Sequence, residues 1–141
     1  MRDFGYKRRL RKLQNERAKI KQQNTKKLLG VTGEHRQEVL ADCRSDYDVI
    51  EEEIAECQSD HIRTMAELYD LSLPKSEEGE YWERMHLVGD RLILTTLGRE
   101  VTREKIAKEQ KLRREVWALI LSFAATVGSL TVAVLAICLR K

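Results

Sequence analysis

The chain has 141 residues, a net charge of +3, 35% charged residues, 6% aromatics and a single proline. That length allows one small domain at most. Once the uncharged, mostly apolar run at residues 116–139 is set aside, the charge content of the remainder excludes a large enzyme-type core or a deep cleft. The net charge conceals three blocks. Residues 1–33 hold eleven basic and two acidic residues, residues 34–80 hold four and fifteen, and residues 81–141 hold eleven and six. Each segment therefore selects partners by its own sign.

Residues 1–29 read as a basic amphipathic helix or arm. Leu10, Leu13, Ile20 and Leu28 recur at roughly helical spacing, with Lys and Arg elsewhere. Gly30-Val31-Thr32-Gly33 breaks the pattern, and Thr32 or Gly33 is placed to cap the next helix, with Glu34 near its positive end. Folding back at this break lays the basic arm along the acidic segment as an αα-hairpin, the preferred reading. The alternative is a mobile basic arm beside a parallel homo-oligomeric coil.

Residues 34–73 predict an acidic coiled-coil helix. Leu40, Tyr47, Ile54, His61 and Leu68 take one seam position, and Cys43, Ile50, Cys57, Thr64 and Leu71 take the other. Asp46, Glu53, Asp60 and Glu67 form acidic shoulders. Tyr47, His61 and Thr64 are polar or bulky, and such seam residues fix register or partner at some cost in stability. A homodimer would bring like charges together, whereas the basic arm has the opposite sign. The helix is expected to run until Pro74, because the residue before a proline avoids the helical region.

Residues 74–80 combine Pro, Gly, Ser and charge, and read as a linker. Residues 81–96 predict a short β-hairpin with Gly89-Asp90 as a two-residue turn. Two strands alone are marginal in water, so Tyr81 and Trp82 are expected to lean on a neighbour. Thr95 or Thr96 then starts a helix that has Glu100 in its first turns. Leu92-x-Leu94-Thr95-x-x-Gly98 followed by a helix is similar to the wing and last helix of some winged-helix domains. That likeness covers fewer than about twenty residues, and the helices that should precede it are replaced here by coil and linker. Residues 97–115 predict a basic juxtamembrane helix, with seven basic residues between Arg99 and Arg114.

Residues 116–139 predict a transmembrane helix. At a rise of about 1.5 Å per residue, the run spans roughly 36 Å against a hydrocarbon core of about 30 Å. Arg113, Arg114 and Trp117 on one side, and Arg140 and Lys141 on the other, suit the two interfaces. Basic residues before the run place the N-terminal part in the cytosol. The layout resembles that of tail-anchored proteins. Ala118/Ser122, Ala124/Gly128, Ala125/Ser129 and Ser129/Ala133 lie four apart, a spacing that lets helices approach closely. The run holds no ionisable group of the kind that marks ion or proton paths.

No catalytic constellation is evident: there is no Gly-rich phosphate loop, Ser elbow or Cys-x-x-Cys. Cys57 and His61 share a helix face but make only half a zinc site, and packing on the seam explains both. Cys43 has no evident base or electropositive setting, and no partner is evident for His35 or His86. Glu51-Glu52-Glu53 reads as a solvated helix face. Two widely spaced cysteines besides Cys138, and no apolar signal segment near the N-terminus, fit a reducing cytosolic setting. No metal, cofactor or small-molecule substrate is expected.

The sequence therefore predicts a mainly α, elongated, single-pass membrane protein that is not an enzyme. Its expected role is a coiled-coil interaction or scaffold module on the cytosolic face, with the bilayer and a protein partner or second copy as its partners. One alternative is a small membrane-active protein that oligomerises through its span to permeabilise or regulate the bilayer. The other is a membrane-attached nucleic-acid binder using the arm. Aromatics for base stacking are sparse there, Phe4 and Tyr6 only, which favours lipid contact or pairing with the acidic helix.

Overall fold

The computed structural model describes residues 2–33, 35–75, 79–87 and 89–139. The chain is mainly helical, with elements in the order α1 (Arg2–Leu29), α2 (His35–Leu68), β1 (Trp82–Arg84), β2 (Leu92–Leu94) and α3 (Thr96–Cys138). It divides into two compact units after Arg103, with α3 contributing to both.

In the first unit α1 runs antiparallel to α2. Leu13, Ile50, Ile54 and Cys57 are buried together, with Tyr6, Leu10 and Ile20 packed around them. On α1 these apolar residues fall three, four or seven apart, on the stripe that a helix turns toward a neighbour. Ion pairs Arg9–Glu56 (3.7 Å), Arg17–Glu51 and Lys27–Asp46 (3.6 Å) flank the packed strip and record the antiparallel register. The Arg17 guanidinium also donates to the Tyr47 hydroxyl, from Nε at 2.9 Å and from Nη2 at 2.6 Å. Asn24 Nδ2 donates to the Cys43 carbonyl at 2.8 Å. Such partly exposed pairs each contribute at most about 1 kcal/mol. They set register, while removal of Leu13, Ile50 and Ile54 from water supplies the larger share, about 25 cal/mol per Å² of apolar surface.

The turn between the helices uses Gly33 in a left-handed conformation (φ 74°), and its carbonyl accepts from Arg36 N at 3.1 Å. Glu34 lies outside the described residues, as do Ser76 to Glu78 of the linker.

α2 ends at Leu68 and does not reach Pro74. Asp70 adopts a left-handed conformation (φ 55°), Leu71 N donates to the Ala66 carbonyl at 2.9 Å, and Asp70 N donates to the Glu67 carbonyl at 3.1 Å. Those two bonds make a Schellman cap, with aspartate in the position glycine usually takes. A cap that satisfies the last carbonyls stops the helix before proline sterics are needed, so Leu71 falls outside the seam.

β1 and β2 pair antiparallel, with Trp82 opposite Leu94, Glu83 opposite Ile93 and Arg84 opposite Leu92. Met85 N adds a bond to the Arg91 carbonyl at 2.9 Å. The hairpin is therefore not closed by a two-residue Gly89-Asp90 turn. The connection is longer, and Val88 within it lies outside the described residues. Two contacts explain the register. Met85 is buried, and the Glu52 carboxylate on α2 accepts from the backbone N–H groups of His86 (3.2 Å) and Leu87 (2.9 Å). Residues 86 and 87 are thus held by α2 and withheld from the strand ladder. Arg84 and Asp90 close the loop with a bidentate pair at 2.9 and 3.0 Å.

The hairpin rests on a second face of α2. Ser59, Ile62 and Ala66 are buried, and Ser59 Oγ accepts from Leu94 N at 3.0 Å. Trp82 is buried, and its indole N–H donates to the Pro74 carbonyl at 3.1 Å. Thr95 caps α3, its hydroxyl accepting from Gly98 N (3.1 Å) and donating to the Glu80 carbonyl (2.8 Å). Gly98 packs so closely on Tyr81 that a Cβ there would collide with the Tyr81 carbonyl oxygen.

In the second unit α3 continues without a break. Glu104–Lys108 (2.8 Å), Glu109–Arg113 (2.8 Å) and Lys111–Glu115 (3.9 Å) are i,i+4 ion pairs on its charged portion. After Glu115 no charged residue follows until Arg140.

Candidate functional site

The predicted seam is occupied from within the chain. Cys43, Ile50, Ile54 and Cys57 are buried, and α1 covers the Ile50–Cys57 stretch. Tyr47 is half-buried under Arg17. His61 lies flat on the Tyr6 ring, with centroids 3.7 Å apart and an interplanar angle of 3°. Leu40 and Leu68, at the two ends, are 44% and 56% exposed. Burial pushes the Cys57 thiol up from its ordinary range against the opposing pull of Arg9, so it is held as the protonated, unreactive form. His35 Nδ1 lies 3.0 Å from Glu38 Oε2. Among the described residues no three His, Cys, Asp or Glu come together as a metal site.

Glu56 was not singled out by the heptad, yet it joins three elements. Its side chain, 14% exposed, lies 3.7 Å from Arg9 of α1 and 3.2 Å from Arg91 ahead of β2. Ser59, Ile62 and Ala66 were likewise missed. Their spacing of three and four was a second stripe legible beside the seam. Burial of Met85, Ile93, Leu94 and Thr102 had no such signal, because it depends on which side of α2 the hairpin docks. Nearby, desolvation draws the Arg99 guanidinium below its usual value, offset by Glu83 and reinforced by Arg103. Hydrogen bonding to Tyr47, opposed by desolvation and aided by Glu51, raises that of Arg17.

The other surface is α3 itself, the one helix among the described residues long and apolar enough to cross a membrane. Its residues Trp117, Leu119, Ile120, Leu121, Phe123 and Leu130 are all exposed. Hydroxyls within the run bond back to the helix: Thr126 to the Ser122 carbonyl (2.9 Å), Ser129 to Thr126 (2.8 Å) and Thr131 to Gly128 (2.8 Å). Polar groups satisfied in this way suit a low-dielectric setting. Ala124, Ala125, Gly128 and Ser129 are exposed, with open space around Gly128. Arg113 bonds Glu109 at 2.8 Å, and Arg114 is exposed. Arg140 and Lys141 lie outside the described residues.

No protein-family model, curated protein or solved structure matches this chain.

Proposed function

We propose that the protein is a non-enzymatic, single-pass membrane protein that uses α3 from about residue 116 as its span and displays the α1–α2 pair on the cytosolic face as a coiled-coil interaction module. One observation carries the reading: an uncharged run of helix, exposed along its described length, follows a unit that already buries its own apolar strip. A run of that kind in water would cost about 25 cal/mol for each Å² of apolar surface, and lipid removes that cost. The seven basic residues between Arg99 and Arg114 favour the anionic cytosolic leaflet and so the stated orientation. Because α1 fills the centre of the seam, a protein partner or second copy meets the exposed shoulders of α2 and the seam ends at Leu40 and Leu68, or displaces α1.

Carbonate washing of membranes carrying the full chain is the test of anchoring: the protein stays in the pellet, and quantitative release into the supernatant would refute the span. Detergent extraction and affinity purification, with and without residues 1–33, then reports whether α1 or α2 selects the partner. The open face at Ala124, Ala125, Gly128 and Ser129 favours a second reading, in which spans associate to permeabilise the bilayer. Dye leakage from liposomes that is abolished by Gly128→Leu would support it over the scaffold.

A further inference from the structure

Seven of the eleven basic residues of α1 form two opposed sets. Arg9, Arg17 and Lys27 turn inward and pair with Glu56, Glu51 and Asp46 of α2. Phe4, Arg8, Arg11, Lys19, Lys26 and Leu29 lie on the opposite side of the helix, at steps of three, four, seven or eight, and all six are exposed. The intervening positions on that line are Asn15 and Gln22, so no carboxylate interrupts it. Arg8, Arg11, Lys19 and Lys26 have no ion-pair partner among the described residues; the α1 carboxylate Glu16 is taken by Lys12 at 3.8 Å. The row ends in two large apolar side chains, Phe4 at 78% and Leu29 at 82% exposure. It is about 38 Å long at the helical rise.

Resting on the membrane-anchored reading, we propose that this outer row of α1 is a second membrane contact, which adsorbs onto the anionic phospholipid headgroups of the bilayer that α3 enters. Four cations on one face of a helix can all meet a planar anionic surface together. Each cation near such a surface multiplies adsorption by roughly fivefold. Phe4 and Leu29 have the apolar character that settles at the headgroup–acyl boundary. Between them the row offers no aromatic face on which a base could stack, which sets lipid above nucleic acid. The acidic helix does not compete for these residues, because it packs against the opposite side of α1, where Leu13 is buried with Ile50, Ile54 and Cys57.

The test uses the full chain reconstituted in vesicles of phosphatidylcholine alone or with added phosphatidylserine, digested with trypsin and read site by site by mass spectrometry. Cleavage after Arg8, Arg11, Lys19 and Lys26 is expected to slow at least about tenfold on the anionic vesicles. Cleavage after Arg44 and Arg63 of α2 is the internal reference and stays unchanged. Protection disappears in about 1 M NaCl, where the screening length is about 3 Å. It also falls at Arg8 and Lys26 in an Arg11→Gln, Lys19→Gln variant, whose substituted positions are exposed and outside the packed strip. Equal cleavage on both vesicles overturns the proposal. So does protection on neutral vesicles that appears only when single-stranded RNA is added, which assigns the row to nucleic acid. Carbonate washing of the same vesicles separates the two readings. A retained chain without protection overturns the lipid contact alone, and a released chain with protection overturns the span alone.

Discussion

Replacing Gly98 by alanine sets local preference against tertiary contact. Helix propensity alone predicts that α3 gains up to about 1 kcal/mol, because alanine is the better helix former. The structure predicts the opposite sign. A Cβ at this position collides with the Tyr81 carbonyl oxygen and lies 3.1 Å from Leu94 Cδ2. The leucine tip can rotate, but the carbonyl is backbone, and it is already the acceptor for Thr95 N at 3.0 Å. Moving α3 away loosens that bond and the Thr95 cap. Overpacking of this kind costs about 1–3 kcal/mol, and a weakened hydrogen bond adds about 1 kcal/mol. After the propensity gain, a net loss of about 1–3 kcal/mol remains. Gly5→Ala is the control: Gly5 also lies within a helix, but nothing approaches its Cβ position within 4 Å, so it should stabilise by up to about 1 kcal/mol. Urea titration of the full chain in lipid vesicles, followed by Trp82 fluorescence in a Trp117→Phe background, measures both. Trp82 is buried and Trp117 exposed, so the remaining indole reports on the first unit. An unfolding midpoint for Gly98→Ala at or above that of the parent would refute the docking of α3 on Tyr81.

Glu56→Gln should weaken the first unit by about 1–2 kcal/mol, because one neutralised carboxylate loses both Arg9 and Arg91, and each pair has one exposed partner. The same titration checks it, and the parent should approach the variant at high salt. Alkaline pH should erode stability through Cys57. Burial raises this thiol, so the folded state holds the proton more tightly than the unfolded chain does. The contribution is complete below the ordinary thiol range, about 8.5, and is lost as pH rises through that value toward the raised one. Comparing pH dependence of the midpoint with that of Cys57→Ala isolates the effect; identical slopes above that range would show that the thiol is not linked to folding.

The charge blocks, the apolar run after Glu115 and the helical spacing of Leu10, Leu13, Ile20, Ile50 and Ile54 were all legible in the sequence, because each is a local, one-dimensional pattern along the chain. A start of α3 at Thr95 or Thr96 was legible for the same reason, since a cap bonds within its own turn, and the bond from Gly98 N selects Thr95. Three features were not. Asp70 takes the left-handed cap position and ends α2 at Leu68, a choice that aspartate does not announce as glycine would. The hairpin register depends on Glu52, thirty-four and thirty-five positions away from the N–H groups it accepts from, and no turn dipeptide reports such a bond. The contrast between the inward Arg9, Arg17 and Lys27 and the outward Arg8, Arg11, Lys19 and Lys26 exists only once α2 has chosen a side of α1. A helix fixes which residues share a face, but only the packed partner decides which face is turned to water.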